Sequence, residues 1–261
     1  MAMRRAPMLA AVALVMAWSG ANAAGGYLAP EAMPDTLRLL PPPPAANSGT
    51  QADDDATFAA TRALKDQPRW ALAVNDVGQS PEAAFLDFSC ALGVTLDDGS
   101  APTLSTLFSK VAKDARGVVD PAKDHYGRHR PYVDHPADIC VARTEGLARS
   151  PSYPSGHTTL GWAWALILTE LAPDRATDIL MRGRVYGESR VVCGVHYPSD
   201  VEAGRTNGAA LVAALHGDKT FRADLDLARA EIAAARQAAR VKPDPAVCAV
   251  ETQAGAHVPG R

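Results

Sequence analysis

Aromatic side chains make up only 6% of the 261 residues, and cysteine occurs four times. No C-x-x-C pair is present, so the spacing that structural zinc sites use is missing. Runs long enough to cross a bilayer are missing as well. The apolar stretch Met8 to Trp18 has eleven residues, well short of the roughly 20 that a spanning helix needs. Alternating strand patterns and internal repeats are not found. Neither sign of charge dominates: 26 Lys+Arg face 29 Asp+Glu, a formal charge of −3. A chain so balanced does not suit nucleic acid or an anionic membrane surface as a partner. Any cluster of cations along it is therefore a local feature.

What remains is an alanine-rich, 47% hydrophobic sequence that leans towards helices. Arg4 and Arg5, the apolar run and Ala21-Asn22-Ala23 form the three parts of a secretory signal peptide, residues 1–23, with cleavage expected after Ala23. Its loss would leave 24 Lys+Arg against 29 Asp+Glu, a charge of −5. A periplasmic protein is then expected, and an even number of cysteines in an exported chain favours disulfides. Cys90, Cys140, Cys193 and Cys248 allow three pairings, among which the sequence does not choose. Residues 24–57 read as a proline-rich arm, stiffened by Pro41 to Pro44. Residues 58–240 read as the helical domain and 241–261 as a C-terminal tail. Helix-period stripes run through Leu104, Leu107, Phe108, Val111 and Val118, and through Leu160, Trp164, Ile167, Leu168 and Leu171. A third passes through Val201, Gly204, Gly208, Leu211, Val212 and Leu215, with Pro198 near its start. A last helix is expected from about Arg222 to Arg240. The fold class that follows is all-α, a single-domain helical bundle.

Three clusters stand apart from this core pattern. In KDHYGRHRP, Lys123 and Arg130 are seven apart and would share one helix face, with Pro131 ending the helix. His125 and His129, four apart, would need Asp134, His135 or another ligand to hold a metal, and no full set can be placed; surface histidines are the reading taken. In PSGH, Ser155 is an N-cap candidate, and the N–H groups of Gly156, His157 and Thr158 would then lack intrahelical partners. Such a helix start is also an anion site. In SRVVCGVHYPSD, Asp200 lies four after His196, close enough to orient an imidazole, and Gly194 could turn Arg190 and His196 into one cleft.

Each cluster alone has an ordinary structural explanation. Taken in order, Lys-x6-Arg-Pro, Pro-Ser-Gly-His and Ser-Arg-x5-His-x3-Asp, spanning Lys123 to Asp200, resemble the acid phosphatase and vanadium haloperoxidase superfamily. LLPPPPA at 39–45, DFSCALG at 87–93 and GWAWALILTEL at 161–171 extend the likeness to the class A bacterial nonspecific acid phosphatases. The chain departs from that pattern at Pro151-Ser152-Tyr153, where Gly-Ser-Tyr is usual.

The resemblance implies a metal-independent phosphatase, without cofactor, acting on small-molecule phosphate monoesters of broad range. Lys123, Arg130, Ser155, Gly156 and Arg190 would bind the phosphoryl group. His196 would attack phosphorus and become a phosphohistidine, Asp200 would orient it, and His157 would protonate the leaving oxygen. A homo-oligomer without membrane insertion is expected. Two alternatives share the same residues. One is a vanadium-dependent haloperoxidase, usually a much longer chain. The other is a non-catalytic periplasmic phosphate-binding protein, which would need the cations but not the His–Asp pair.

Overall fold

The computed structural model describes residues 25–238 and 242–260; the expected signal peptide, residues 1–23, lies outside the described residues. Every regular element among them is helical. In chain order these are α1 (Thr36–Leu39), α2 (Gly49–Thr61), α3 (Pro68–Asn75), α4 (Pro81–Asp87) and α5 (Ser89–Leu92). Then come α6 (Pro102–Tyr126), α7 (Pro131–Asp134), α8 (Glu145–Arg149) and α9 (Gly156–Leu171). The chain closes with α10 (Ala176–Val192), α11 (Pro198–Leu215), α12 (Lys219–Gln237) and α13 (Pro245–Gly255). Proline opens α3, α4, α6, α7, α11 and α13, at the helical position where its missing N–H costs nothing.

The bundle is built around α9, which packs against α10 and α11 and, across its other face, α6 and α12. Most residues of α9 are buried and none is exposed, because it has neighbours on several sides. Trp164 at its middle is fully buried, with the Phe108 ring stacked 5.3 Å away and the Tyr186 ring edge-on at 6.2 Å. Truncating Trp164 to alanine would cost about 3–5 kcal/mol. The contact with α11 is unusually close. A β-carbon added at Gly204 would lie 2.6 Å from the Ser155 carbonyl oxygen, and one at Gly208 the same distance from that of Thr159. Glycine lets the two backbones touch, and this fixes the start of α9 against α11.

Several sequence expectations need correction. Lys123 and Arg130 do not share a helix. Gly127 takes a left-handed conformation, φ 57°, and caps α6 just after Tyr126. Pro131 then opens α7, with Arg130 as its N-cap, instead of ending the preceding helix. The last long helix starts and stops about a turn earlier than Arg222 to Arg240. The helical body already begins at Gly49, inside the segment read as an arm. The segment read as a tail holds α13, bound to α5 by the Cys90–Cys248 disulfide. The second disulfide, Cys140–Cys193, ties the loop after α7 to the end of α10. The proline-rich stretch lies on its own chain: Leu40 is buried beside Tyr153 and Ala203, and the Tyr153 hydroxyl donates to the Pro41 carbonyl at 2.6 Å.

Candidate active site

Six of the eight expected residues line one cavity of about 250 Å³: Lys123, Arg130, Gly156, His157, Arg190 and His196. They come from α6, the α6–α7 loop, the first turn of α9, the end of α10 and the loop before α11. A larger cavity of about 760 Å³ lies elsewhere, between the proline-rich stretch and α11. Four acids, Asp53, Asp54, Glu188 and Glu202, line it against one cation, Arg205, a balance that disfavours an anion.

Ser155 is fully buried below the cavity instead of on its wall. Its hydroxyl accepts from the Thr158 N–H at 3.2 Å and from the Thr158 hydroxyl at 2.9 Å. Thr158 is therefore capped, contrary to expectation, and only the Gly156 and His157 N–H groups are left without an acceptor among the described residues. The Ser155 N–H itself donates to the Asp200 carbonyl at 3.0 Å, tying this turn to α11.

The cations are held from behind. Arg130 donates to the carbonyls of Leu147, Ser150 and Val195 at 2.9–3.0 Å. Its Nη1 lies 3.1 Å from His196 Nε2, so that nitrogen carries the lone pair. Lys123 donates to the Pro151 carbonyl, and burial followed by the Arg130 charge pulls it down to about 7. Arg190 is buried, and its Nε and Nη1 both lack a partner among the described residues; burial lowers it to about 10. A cavity lined by Lys123, Arg130 and Arg190, the last with two buried donors that lack a partner among the described residues, has the charge that suits an anion.

The two imidazoles face this charge. His196 Nδ1 is 3.5 Å from Asp200 Oδ2, an ion-pair distance longer than a formed hydrogen bond. Burial, then Arg130, Lys123 and Arg190, hold His196 well below its ordinary value. His157 Nε2 sits 2.6 Å from the Asp76 carbonyl oxygen, and its ring stacks on Tyr186 at 4.5 Å. Burial and Arg190 depress His157 likewise. Asp200 is completely buried at the third position of α11, where Oδ2 accepts from the Tyr197 N–H at 2.9 Å. Burial pushes its carboxyl up, opposed chiefly by Arg128.

Arg128 is the residue that sequence reasoning missed. Its guanidinium bridges Asp200 at 2.6 Å and Asp54 at 2.8 Å, and lies over the Tyr197 ring at 4.2 Å. The only signal was a third cation in KDHYGRHRP, two before Arg130. His129 pairs with Asp134 at 2.9 Å and His135 with Asp55 at 3.4 Å, both on the surface. No group of three or more His, Cys, Asp or Glu among the described residues could hold a metal ion.

The PAP2 superfamily model matches residues 102–222, the stretch from the start of α6 to the start of α12. An acid phosphatase of Zymomonas mobilis is 45% identical over 84% of this chain and 83% of its own length. The chain belongs to the acid phosphatases of the PAP2 superfamily. A non-specific acid phosphatase of Providencia stuartii is 36% identical over 76% of this chain and 81% of that one. One of Salmonella typhimurium is 33% identical over 84% and 88%. Among solved structures, a transmembrane PAP2 type phosphatidylglycerolphosphate phosphatase from Bacillus subtilis aligns at TM-score 0.46 and 22% identity, covering 66% of this chain and 87% of that one. None of the described helices is long and apolar enough to cross a membrane.

Proposed function

We propose that this PAP2 acid phosphatase hydrolyses phosphate monoesters of broad range without a metal, through a phosphohistidine at His196. The observation that carries this reading is the Arg190 guanidinium, buried with two unpaired donors in the cavity that also holds Lys123, Arg130 and both imidazoles. A phosphoryl group supplies the acceptors that these donors lack. The Gly156 and His157 N–H groups add two more donors at the positive end of α9, and Ser155 keeps that turn in shape.

The neutral His196 uses its Nε2 lone pair to attack phosphorus, and the bond to the leaving oxygen breaks. Asp200 balances the positive charge that develops on the ring, with Arg128 keeping the carboxylate in place. Protonated His157 gives its Nδ1 proton to the leaving oxygen. Water then gives a proton back to His157 and attacks phosphorus. The P–N bond breaks, free phosphate leaves and His196 is neutral again. Of the five proposed phosphate-holding donors, two are backbone N–H groups, two are guanidinium groups and one is an ammonium; all are assigned to the phosphoryl group and none to a leaving group, which fits a broad range of leaving groups. Residues 1–23 and two disulfides support export to the periplasm.

A panel of nucleotide, sugar and aryl phosphates, assayed with EDTA and separately with vanadate, tests the reading. Turnover of all three classes, unaffected by EDTA and inhibited by vanadate, is expected. Loss of activity in EDTA sinks the metal-free mechanism.

A further inference from the structure

The cavity does not explain why α10 carries Arg182 and Ser189 on the same face as Tyr186. All three are buried and none lines the cavity. Positions 182, 186 and 189 follow a helix period and meet the loop that leaves α3. Arg182 grips the Asp76 carboxylate with two nitrogens, 2.5 and 3.2 Å away. The Ser189 hydroxyl donates to the same carboxylate at 2.5 Å. Two residues on, the Gly78 carbonyl accepts from the Tyr186 hydroxyl at 2.6 Å. These bonds to the Asp76 side chain and to Gly78 clamp the Asp76 carbonyl in place, with its oxygen 2.6 Å from His157 Nε2.

We propose that Asp76, clamped by Arg182 and Ser189, is the positioning residue of the acid His157. A carbonyl oxygen only accepts, so it requires a proton on His157 Nε2 in both charge states of the ring. The proton that moves is then the one on Nδ1. Tyr186 closes the arrangement by stacking flat on the imidazole, 13° from parallel, which blocks rotation of the ring. A loop carbonyl without the clamp could shift by a fraction of an ångström and release the ring, and proton transfer is steep in such shifts. Arg182 is in turn held by the Asp87 carbonyl at 2.8 Å and by Glu251 of α13. Asp76 has no exposure to solvent and does not line the cavity; its one hydrogen-bonded contact with a cavity-lining residue is His157, and its charge also supports the Arg190 guanidinium.

This inference rests on the reading of His157 as the acid, and the test separates the two. Asp76→Asn keeps the carbonyl and the volume but loses the charge that Arg182 grips. For this variant, His157→Ala and wild type, kcat/KM is measured with two substrates. 4-Nitrophenyl phosphate has a weakly basic leaving oxygen that departs without a proton, and glycerol phosphate has a strongly basic one that needs it. For Asp76→Asn the expected loss is about tenfold or more on glycerol phosphate and under about threefold on 4-nitrophenyl phosphate, with vanadate inhibition unchanged. Equal losses on both substrates, or no loss, overturn the proposal, because a purely structural role cannot tell leaving groups apart. Equal losses in His157→Ala overturn the reading of His157 itself, whatever Asp76 does. Should Asp76→Asn fail to fold, Ser189→Ala removes one bond from the clamp with little change in volume. The same substrate-dependent loss, about threefold on glycerol phosphate, is expected there, and its absence counts against the clamp.

Discussion

Replacing Lys123 by methionine should make the protein more stable and, in the same step, unable to hold phosphate. Lys123 is half-buried and makes no salt bridge among the described residues; burial and then the Arg130 charge, opposed by Asp200, lower its pKa from 10.5 to about 7. A lowered lysine means that the unfolded chain binds the proton more tightly than the native one. The native state is therefore penalised at every pH below about 7, and the penalty fades as pH rises towards 10.5. A tenfold change in proton affinity is worth about 1.4 kcal/mol, so the charge costs about 5 kcal/mol. Methionine fills the same space without the charge, but it leaves the Pro151 carbonyl without its donor, a loss of about 1–3 kcal/mol. Charge burial wins, and a net gain of about 3 kcal/mol is expected at pH 6. Urea unfolding with disulfides intact would show this as a midpoint raised by about 1 M or more. The gain should shrink by pH 10, and added phosphate should stabilise wild type but not the variant. A midpoint at pH 6 unchanged or lowered refutes the reasoning, because the Pro151 carbonyl and the nearby carboxylates would then offset the burial of the charge.

Activity should rise as pH falls below about 6.5. His157 acts as an acid only when protonated, and burial with Arg190 holds it well below its ordinary value; a pH–rate maximum above about pH 8 contradicts this. The same depression in His157 and His196 means that the unfolded chain takes up protons that the native state refuses. Phosphate-free stability, complete above about pH 6.5, is therefore lost as pH falls, by up to about 1.4 kcal/mol per pH unit for each ring; differential scanning calorimetry at pH 5 and 7 checks it. Arg128→Met leaves Asp54 and Asp200 buried without their cation and should cost about 3–5 kcal/mol in urea unfolding. Reducing both disulfides, which close spans of 158 and 53 residues, should destabilise the chain by about 5 and 4 kcal/mol respectively on the loop-entropy model, read as a fall in melting temperature with reductant.

The helices that the sequence revealed are those with one apolar stripe. On α6, Leu104, Leu107, Phe108, Val111 and Val118 all reach the core, and the stripes of α9 and α11 do so too. α10 escaped notice because it has no such stripe: it buries Arg182, Glu188, Ser189 and Arg190 among Ile179, Val185 and Tyr186. Of its buried polar residues, Arg182 and Ser189 hold Asp76, Glu188 pairs with Arg184, and Arg190 lines the cavity; a pattern of apolar spacing does not register them. α2 was hidden for a similar reason, since buried Asp54 answers Arg128 across the fold. The candidate site was legible where motif residues line the cavity, as with Lys123, Arg130, Arg190 and His196. It was not legible where the partner is a backbone carbonyl, as with Asp76 on His157, or where a left-handed glycine redirects the chain, as Gly127 does between Lys123 and Arg130. Such contacts depend on tertiary packing and leave no spacing in the sequence.

The central claim is a covalent bond between phosphorus and His196. The direct test is to mix the mature protein with a ³²P-labelled monoester, quench within milliseconds in alkali and map the label by peptide mass spectrometry. Phosphate on the peptide containing His196, stable in alkali, lost in acid and absent from His196→Ala, is the predicted result. An enzyme that turns over the same substrate with no label on His196, or with label on another residue, contradicts the account.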